Sequence, residues 1–128
     1  MSGSVENFLF DTNFIIYSAQ DKINVADFLK EDSNVYISSI TYIEALGFPF
    51  QNSREEDKIA KVCAIFERLF LTEEIERQTI RIRKTKKIKL PDAIIAATAI
   101  THNLTLVTRN TDDFKNISGL KILNPFDN

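Results

Sequence analysis

Four short apolar blocks, NFLFD (7–11), NVYIS (34–38), LTLVT (104–108) and KIL (121–123), are spaced along the chain. Each is too brief for a stable helix and carries β-branched or aromatic residues, so each reads as a strand. Between them the pattern turns helical. TNFIIYSAQ (12–20) and VADFLKE (25–31) read as helices, as does SITYIEALGF (39–48), with Ser39 near its N-cap and Gly47 near its end. Ser53 followed by Glu56 has the form of a capping box. It opens a helix with apolar residues at Ile59, Val62, Phe66 and Leu69, ending in LFLT (69–72), a transition or an edge strand. Residues 73–86 read as a basic helix, Pro91 opens another that runs to about His102, and NTDDF (110–114) reads as a short helical turn.

Strands that alternate with helices predict an α/β fold, here one domain over residues 5–126 with a central, mainly parallel sheet flanked by helices. Parallel strands need crossover connections, and the helices supply them. In such sheets ligands sit at the carboxyl ends of the strands. The length of 128 residues fits a single core, and 44% hydrophobic with 27% charged residues is an ordinary globular composition. No apolar run reaches the roughly 18 residues of a membrane span. The opening MSGSVEN has neither the basic nor the apolar region of a secretory signal, so a cytoplasmic protein is expected.

Cys63 is the one cysteine and His102 the one histidine. That excludes an intrachain disulfide and a zinc site built from those ligands within one chain. Three glycines leave neither a P-loop nor a dinucleotide fingerprint. The chemistry falls to carboxylates, hydroxyls and basic side chains.

KLPDAIIAATAI (89–100) sharpens the question, because Asp92 is the one charge in an otherwise apolar helix, in its first turn. Asp11 ends the first strand, Glu44 lies six residues after the second, and Asp113 follows LTLVT by five. Each therefore stands at the carboxyl end of a strand or in an early helical turn facing that edge. Singly, each has an ordinary explanation: a cap at Asp11, a dipole partner at Asp92, a capping pair of Asn110 with Asp113, a solvated Glu44. Their shared placement does not. Ile40, Ile43 and Leu46 around Glu44 predict a largely buried helix. Converging carboxylates repel, and a hard divalent cation such as Mg²⁺ or Mn²⁺ removes the conflict.

FLFDTNFII, SSITYIEALGF, KLPDAIIAATAI and LTLVTRNTDDF together resemble the PIN domain, specifically its VapC-type toxin branch. The resemblance covers almost the whole chain, and although each motif is weak alone, four in order are specific. It implies a small α/β nuclease fold and an endoribonuclease that hydrolyses RNA phosphodiesters with water activated at Mg²⁺ or Mn²⁺. The family's catalytic and metal-ligating acids carry over to Asp11, Glu44 and Asp92. Asp113 is the choice for the fourth, because NTDDF matches one of two family patterns, with Asn110 as a neutral oxygen beside it. Thr12, Ser38 and Thr108 lie next to these acids and would orient ligands or water from behind, although strand-end hydrogen bonding explains them equally well. The resemblance further implies a cognate antitoxin, seated in a groove near the active site, and a homodimer. Phe48 and Phe50, with Phe14, Ile15 and Tyr17, are candidate anchors for such a partner helix, while core packing is the commoner fate of ten phenylalanines.

A net charge of −2 argues against a globally basic nucleic-acid binder. Residues 77–89 depart from that balance. They hold Arg77, Arg81, Arg83, Lys84, Lys86, Lys87 and Lys89, seven of the 16 Lys and Arg and none of the 18 acids, and lead directly into Asp92. An isolated charge run is usually a solvated face; next to four acids, phosphate-backbone contact from Arg81 to Lys89 is the expectation. The rival reading is a catalytically silent PIN-like module that binds RNA or protein. A third, phosphotransfer on Asp11 as in receiver or haloacid-dehalogenase-like folds, is disfavoured because the latter usually show D-x-D where this chain has Asp11-Thr12-Asn13.

Overall fold

Phe8, Leu9 and Phe10 are apolar at every position, the pattern of a strand covered on both faces, and all three are buried. In the computed structural model, which describes residues 6–27 and 33–126, they form the central strand β1 (Phe8–Phe10) of a five-stranded sheet. The other strands are β2 (Val35–Ser38), β3 (Glu67–Leu69), β4 (Thr105–Val107) and β5 (Lys121–Leu123). Their order is β3-β2-β1-β4-β5, and every pairing is parallel. The register sets Phe10 opposite both Ile37 and Val107, so the carboxyl ends of the three middle strands are nearly level. The residues that follow them, Asp11, Ser39 and Thr108, therefore share one edge.

Successive strand residues point to opposite faces, and two cores result. Phe10 joins Phe14, Ile15, Ile37 and Phe66 in one, under α1 (Thr12–Ala19), α2 (Ser39–Leu46) and α3 (Ser53–Ile65). Leu9 joins Ile75, Ile82, Ile95, Leu106 and Phe114 in the other, under α4 (Glu73–Thr85) and α5 (Leu90–Thr101), with the short α6 (Thr111–Phe114) beside them. Small residues at Ala93, Ala96, Ala97 and Ala99 of α5 admit the large side chains of α4 and of the sheet. Among the described residues no helix is long and apolar enough to cross a membrane.

The predicted elements are present with three differences. Of VADFLKE, Val25–Asp27 form a single 3₁₀ turn and the remainder lies outside the described residues. The cap of α3 is Asn52, whose side chain accepts from the Glu55 N–H at 2.9 Å, so Ser53 is the first helical residue. Nor does that helix reach Leu69. It stops at Ile65, where Phe66 turns extended and packs its ring against Phe10 at 5.4 Å, and Glu67–Leu69 become the edge strand. The four-residue step from Val62 to Phe66 fits a helix by coincidence; burial against the sheet overrides it.

The α4–α5 seam fixes where α5 begins, and hence where Asp92 stands. Replacing fully buried Ile82 by alanine empties the seam. Urea denaturation of Ile82→Ala is expected to show a loss of about 2–5 kcal/mol with an unchanged m-value.

Candidate active site

Asp11 is the residue on which two strands and a helix meet. It caps α1, its Oδ1 accepting the Phe14 N–H at 3.0 Å, while its Oδ2 accepts the Thr108 hydroxyl at 2.6 Å. Thr108 is itself buried at the end of β4, and its Oγ1 accepts the Asn110 N–H at 3.0 Å. The Asp11 carboxylate is thus pinned from both sides, with 5% of its surface exposed.

Glu44 reaches the same place from α2, where its Oε1 accepts the Thr12 hydroxyl at 2.7 Å. Asp92 sits in the first turn of α5, which runs back toward the start of β4 and so presents its N-terminal end to the carboxyl edge of the sheet. Asp113 comes from α6, with its Oδ2 accepting from the Asn110 side-chain amide. All four acids line one cavity of about 380 Å³, together with Thr12, Asn13, Lys89 and Asn110.

The electrostatics record this crowding. Burial pushes the Asp11 carboxyl up to about 6; the bonds from Thr108 and Phe14 pull it back, and the charge of Asp92 adds to the rise. Asp92 is also raised, first by burial, then by Asp113 and Glu44, with Lys89 opposing. Anions that hinder one another's ionisation form a donor set of the kind a hard cation relieves. In kind, then, the residues fit Mg²⁺ or Mn²⁺. As arranged, no group of three or more His, Cys, Asp or Glu among the described residues is set to hold a metal ion. Glu44 and Asp113 instead face their own donors, Thr12 and Asn110.

Several expectations need amending. The helix around Glu44 is not largely buried: α2 buries Thr41 and Ala45, whereas Ile43 is 61% exposed and Glu44 is exposed. Ser38 does not line the cavity; its hydroxyl accepts the Ile40 N–H at 3.1 Å and caps α2. Phe14 and Ile15 are fully buried and cannot serve as anchors, while Phe48 is 64% exposed. Sequence reasoning passed over Asn13 on the cavity wall, although it sits inside the quoted DTN motif.

The basic segment adjoins the acids. Arg83, Lys86, Lys87 and Lys89 line a groove of about 560 Å³ whose other wall is Asp92, Asp112 and Asp113. Lys84 joins Arg83, Lys86 and Lys87 around a second depression of about 470 Å³. Arg81 turns to Gln78, its Nε donating at 2.9 Å, and Arg77 pairs with Glu73, so neither lines these grooves.

A family model for the PIN domain matches residues 8–120. The chain is 32% identical over 127 residues to Ribonuclease VapC1 of Rickettsia felis, covering 90% of this chain and 93% of that protein. Among solved structures, a toxin–antitoxin complex from Klebsiella pneumoniae contains a chain 32% identical, with a TM-score of 0.71 over 95% of this chain and 98% of that one. VapBC-1 from nontypeable Haemophilus influenzae superposes with a TM-score of 0.80 at 25% identity, over 92% and 97% of the two chains. The chain therefore belongs to the PIN-domain family, in its VapC-type branch.

The raised Asp11 carboxyl has a consequence for stability. Its folded pKa of about 6 lies above the ordinary 3.8, so the native state holds the proton more tightly than the unfolded chain. Stability of the metal-free protein accordingly falls as pH rises from about 4 to 6. Asp11→Asn removes that loss. In chelator at pH 7.5, thermal denaturation should place the variant about 1–3 kcal/mol above the parent, with the difference vanishing below about pH 4.

Proposed function

We propose that this protein is a divalent-metal-dependent endoribonuclease and the toxin of a toxin–antitoxin pair. The observation that carries the reading is the cavity at the carboxyl edge of the sheet, where Asp11, Glu44, Asp92 and Asp113 from four different elements share one wall and Lys89 stands beside them. Membership of the VapC-type branch and the likeness to Ribonuclease VapC1 support it.

In this reading Asp11, Glu44, Asp92 and Asp113 would hold a Mg²⁺ or Mn²⁺ ion. A bound cation supplies the charge that lowers the pKa of water and offsets negative charge on the phosphoryl and leaving oxygens. The chain's own residues do the rest. Asp11, clamped by Thr108 and the Phe14 N–H, keeps one fixed orientation, so little reorganisation is needed when charge develops. Asp92 is held by the rigid first turn of α5, and Lys89 next to it opposes its raised pKa. Thr12 and Asn110 orient Glu44 and Asp113 by hydrogen bonds. Arg83, Lys86, Lys87 and Lys89 take the phosphate backbone and lead it to the acids.

The antitoxin is supported by the likeness to toxin–antitoxin complexes. Its apolar residues have a place to lie where Phe48 and Phe50 pack edge to face at 5.6 Å and, with Ile16, Ala45 and Ile59, line a groove of about 350 Å³. Phe48 also lines the acid cavity, so an occupant of that groove would sit at the catalytic entrance. A homodimer in the cytoplasm completes the reading. The silent binding module is the second reading, favoured by Glu44 and Asp113 accepting hydrogen bonds from Thr12 and Asn110.

Purified protein incubated with total RNA should give discrete fragments with Mn²⁺ or Mg²⁺ and none with EDTA. Asp11→Asn and Asp92→Asn should each lower the rate by roughly 10²-fold or more. Intact RNA under every metal, from folded and inhibitor-free protein, would instead establish the silent module. Neutralising Lys86, Lys87 and Lys89 together is a separate check by fluorescence anisotropy. It should weaken RNA binding and reduce the slope of log affinity against log salt by about 0.7 for each phosphate that the variant no longer neutralises.

A further inference from the structure

A second cationic surface flanks the acid cavity, and the proposed hydrolysis does not use it. Arg109 lies between Thr108, whose hydroxyl holds Asp11, and Asn110, which lines the cavity. Its guanidinium carbon stands 4.6 Å from the centre of the Phe126 ring. That ring is rooted in the core: it packs against fully buried Phe14 and against Tyr17, each at 5.8 Å, and the Phe126 N–H donates to Asn124 Oδ1 at 3.0 Å. Phe126 nonetheless keeps 40% of its surface exposed, and Arg109 is exposed. Lys22 adds a second cation, 5.7 Å from the centre of the Tyr17 ring.

Two features set this surface apart from ordinary packing. The ion pairs among the described residues are Arg77–Glu73 and Lys115–Asp112, and neither Arg109 nor Lys22 pairs with a described acid. Phe126 lies under the Arg109 guanidinium at 4.6 Å, and both side chains remain exposed. A planar cation held this way stacks on a nucleobase at a reduced entropy cost. Position matters as well. Phe14 and Tyr17 belong to the core under α1, whereas the lysine groove adjoins α5 on the other side of the sheet. An RNA strand crossing the acid cavity would meet cations at both ends.

We propose that Arg109, backed by Phe126, stacks an unpaired base flanking the scissile phosphate and so helps set specificity beside the acid cavity. The proposal rests on the nuclease reading above. In a duplex the base faces are taken by neighbouring pairs, so this surface discriminates against paired RNA.

The test is fluorescence anisotropy in chelator with three labelled probes of equal length: a single-stranded oligoribonucleotide, the same strand with abasic positions, and its duplex. Wild-type protein should bind the base-bearing single strand at least about fivefold more tightly than the abasic strand, the factor expected for one stacked base. Arg109→Lys keeps the charge and loses the plane. It should erase that preference while leaving the salt slope unchanged, and Phe126→Leu should do the same. Circular dichroism checks the fold of both variants, and Arg109→Lys decides the matter if Phe126→Leu is unfolded. Retention of the base preference by Arg109→Lys, or equal wild-type affinity for duplex and single strand, overturns the proposal. Metal-dependent cleavage of total RNA separates the two readings: if it persists while the base preference is missing, stacking alone is wrong. Loss of both cleavage and binding overturns the nuclease reading along with it.

Discussion

Carboxylates that the fold forces together at the carboxyl edge of a parallel sheet govern this molecule. Level strand ends bring Asp11 and Thr108 to one line, and their 2.6 Å hydrogen bond ties the ends of β1 and β4. Asp11 is then fixed in a buried place where its charge is poorly tolerated, and Asp92, Glu44 and Asp113 arrive from three helices to worsen the repulsion. Burying uncompensated anions is among the more expensive things a fold can do. Asp11 bears that cost in full and half-buried Asp92 in part, while exposed Glu44 and Asp113 add their charge beside them.

Charge is apportioned on a larger scale by the same logic. The chain is slightly acidic as a whole, yet Arg83, Lys86, Lys87 and Lys89 gather beside the acid cavity. Lys89 belongs to both regions, since it lines the cavity with the acids and also walls the basic groove. In the proposed function, a polyanionic substrate would be drawn to the groove by the lysines and positioned without being read, because phosphate contacts carry no sequence information. Discrimination would then come from elsewhere on the surface, and an exposed arginine seated on an aromatic ring has the chemistry for it.

Much of this was legible in the sequence because it follows from uninterrupted patterns. The central strand block is short and apolar throughout, α1 to α4 open on side-chain caps, and three acids fall in motifs whose order and spacing are specific. What escaped did so for physical reasons. Phe66 continued the helical spacing of α3 but was claimed by the sheet through Phe10. Glu44 looked buried because Ile43 is apolar, yet α2 turns that isoleucine to solvent. Ser38 resembled a ligand-orienting hydroxyl and serves instead to cap α2. Arg109 carried no signal, since its ring partner Phe126 is 17 residues further along and only the return of the chain through β5 brings them together.

The central claim, that the four acids form a cation site, is tested most directly by calorimetric titration of Mn²⁺ into the protein at pH 6 in buffers of different ionisation enthalpy. Asp11 is close to half-protonated there, so ion binding should expel a proton and the observed heat should vary with the buffer. Asp11→Asn should weaken binding and abolish that variation. Undiminished Mn²⁺ affinity in Asp11→Asn, or no binding by folded wild-type protein, would contradict the account.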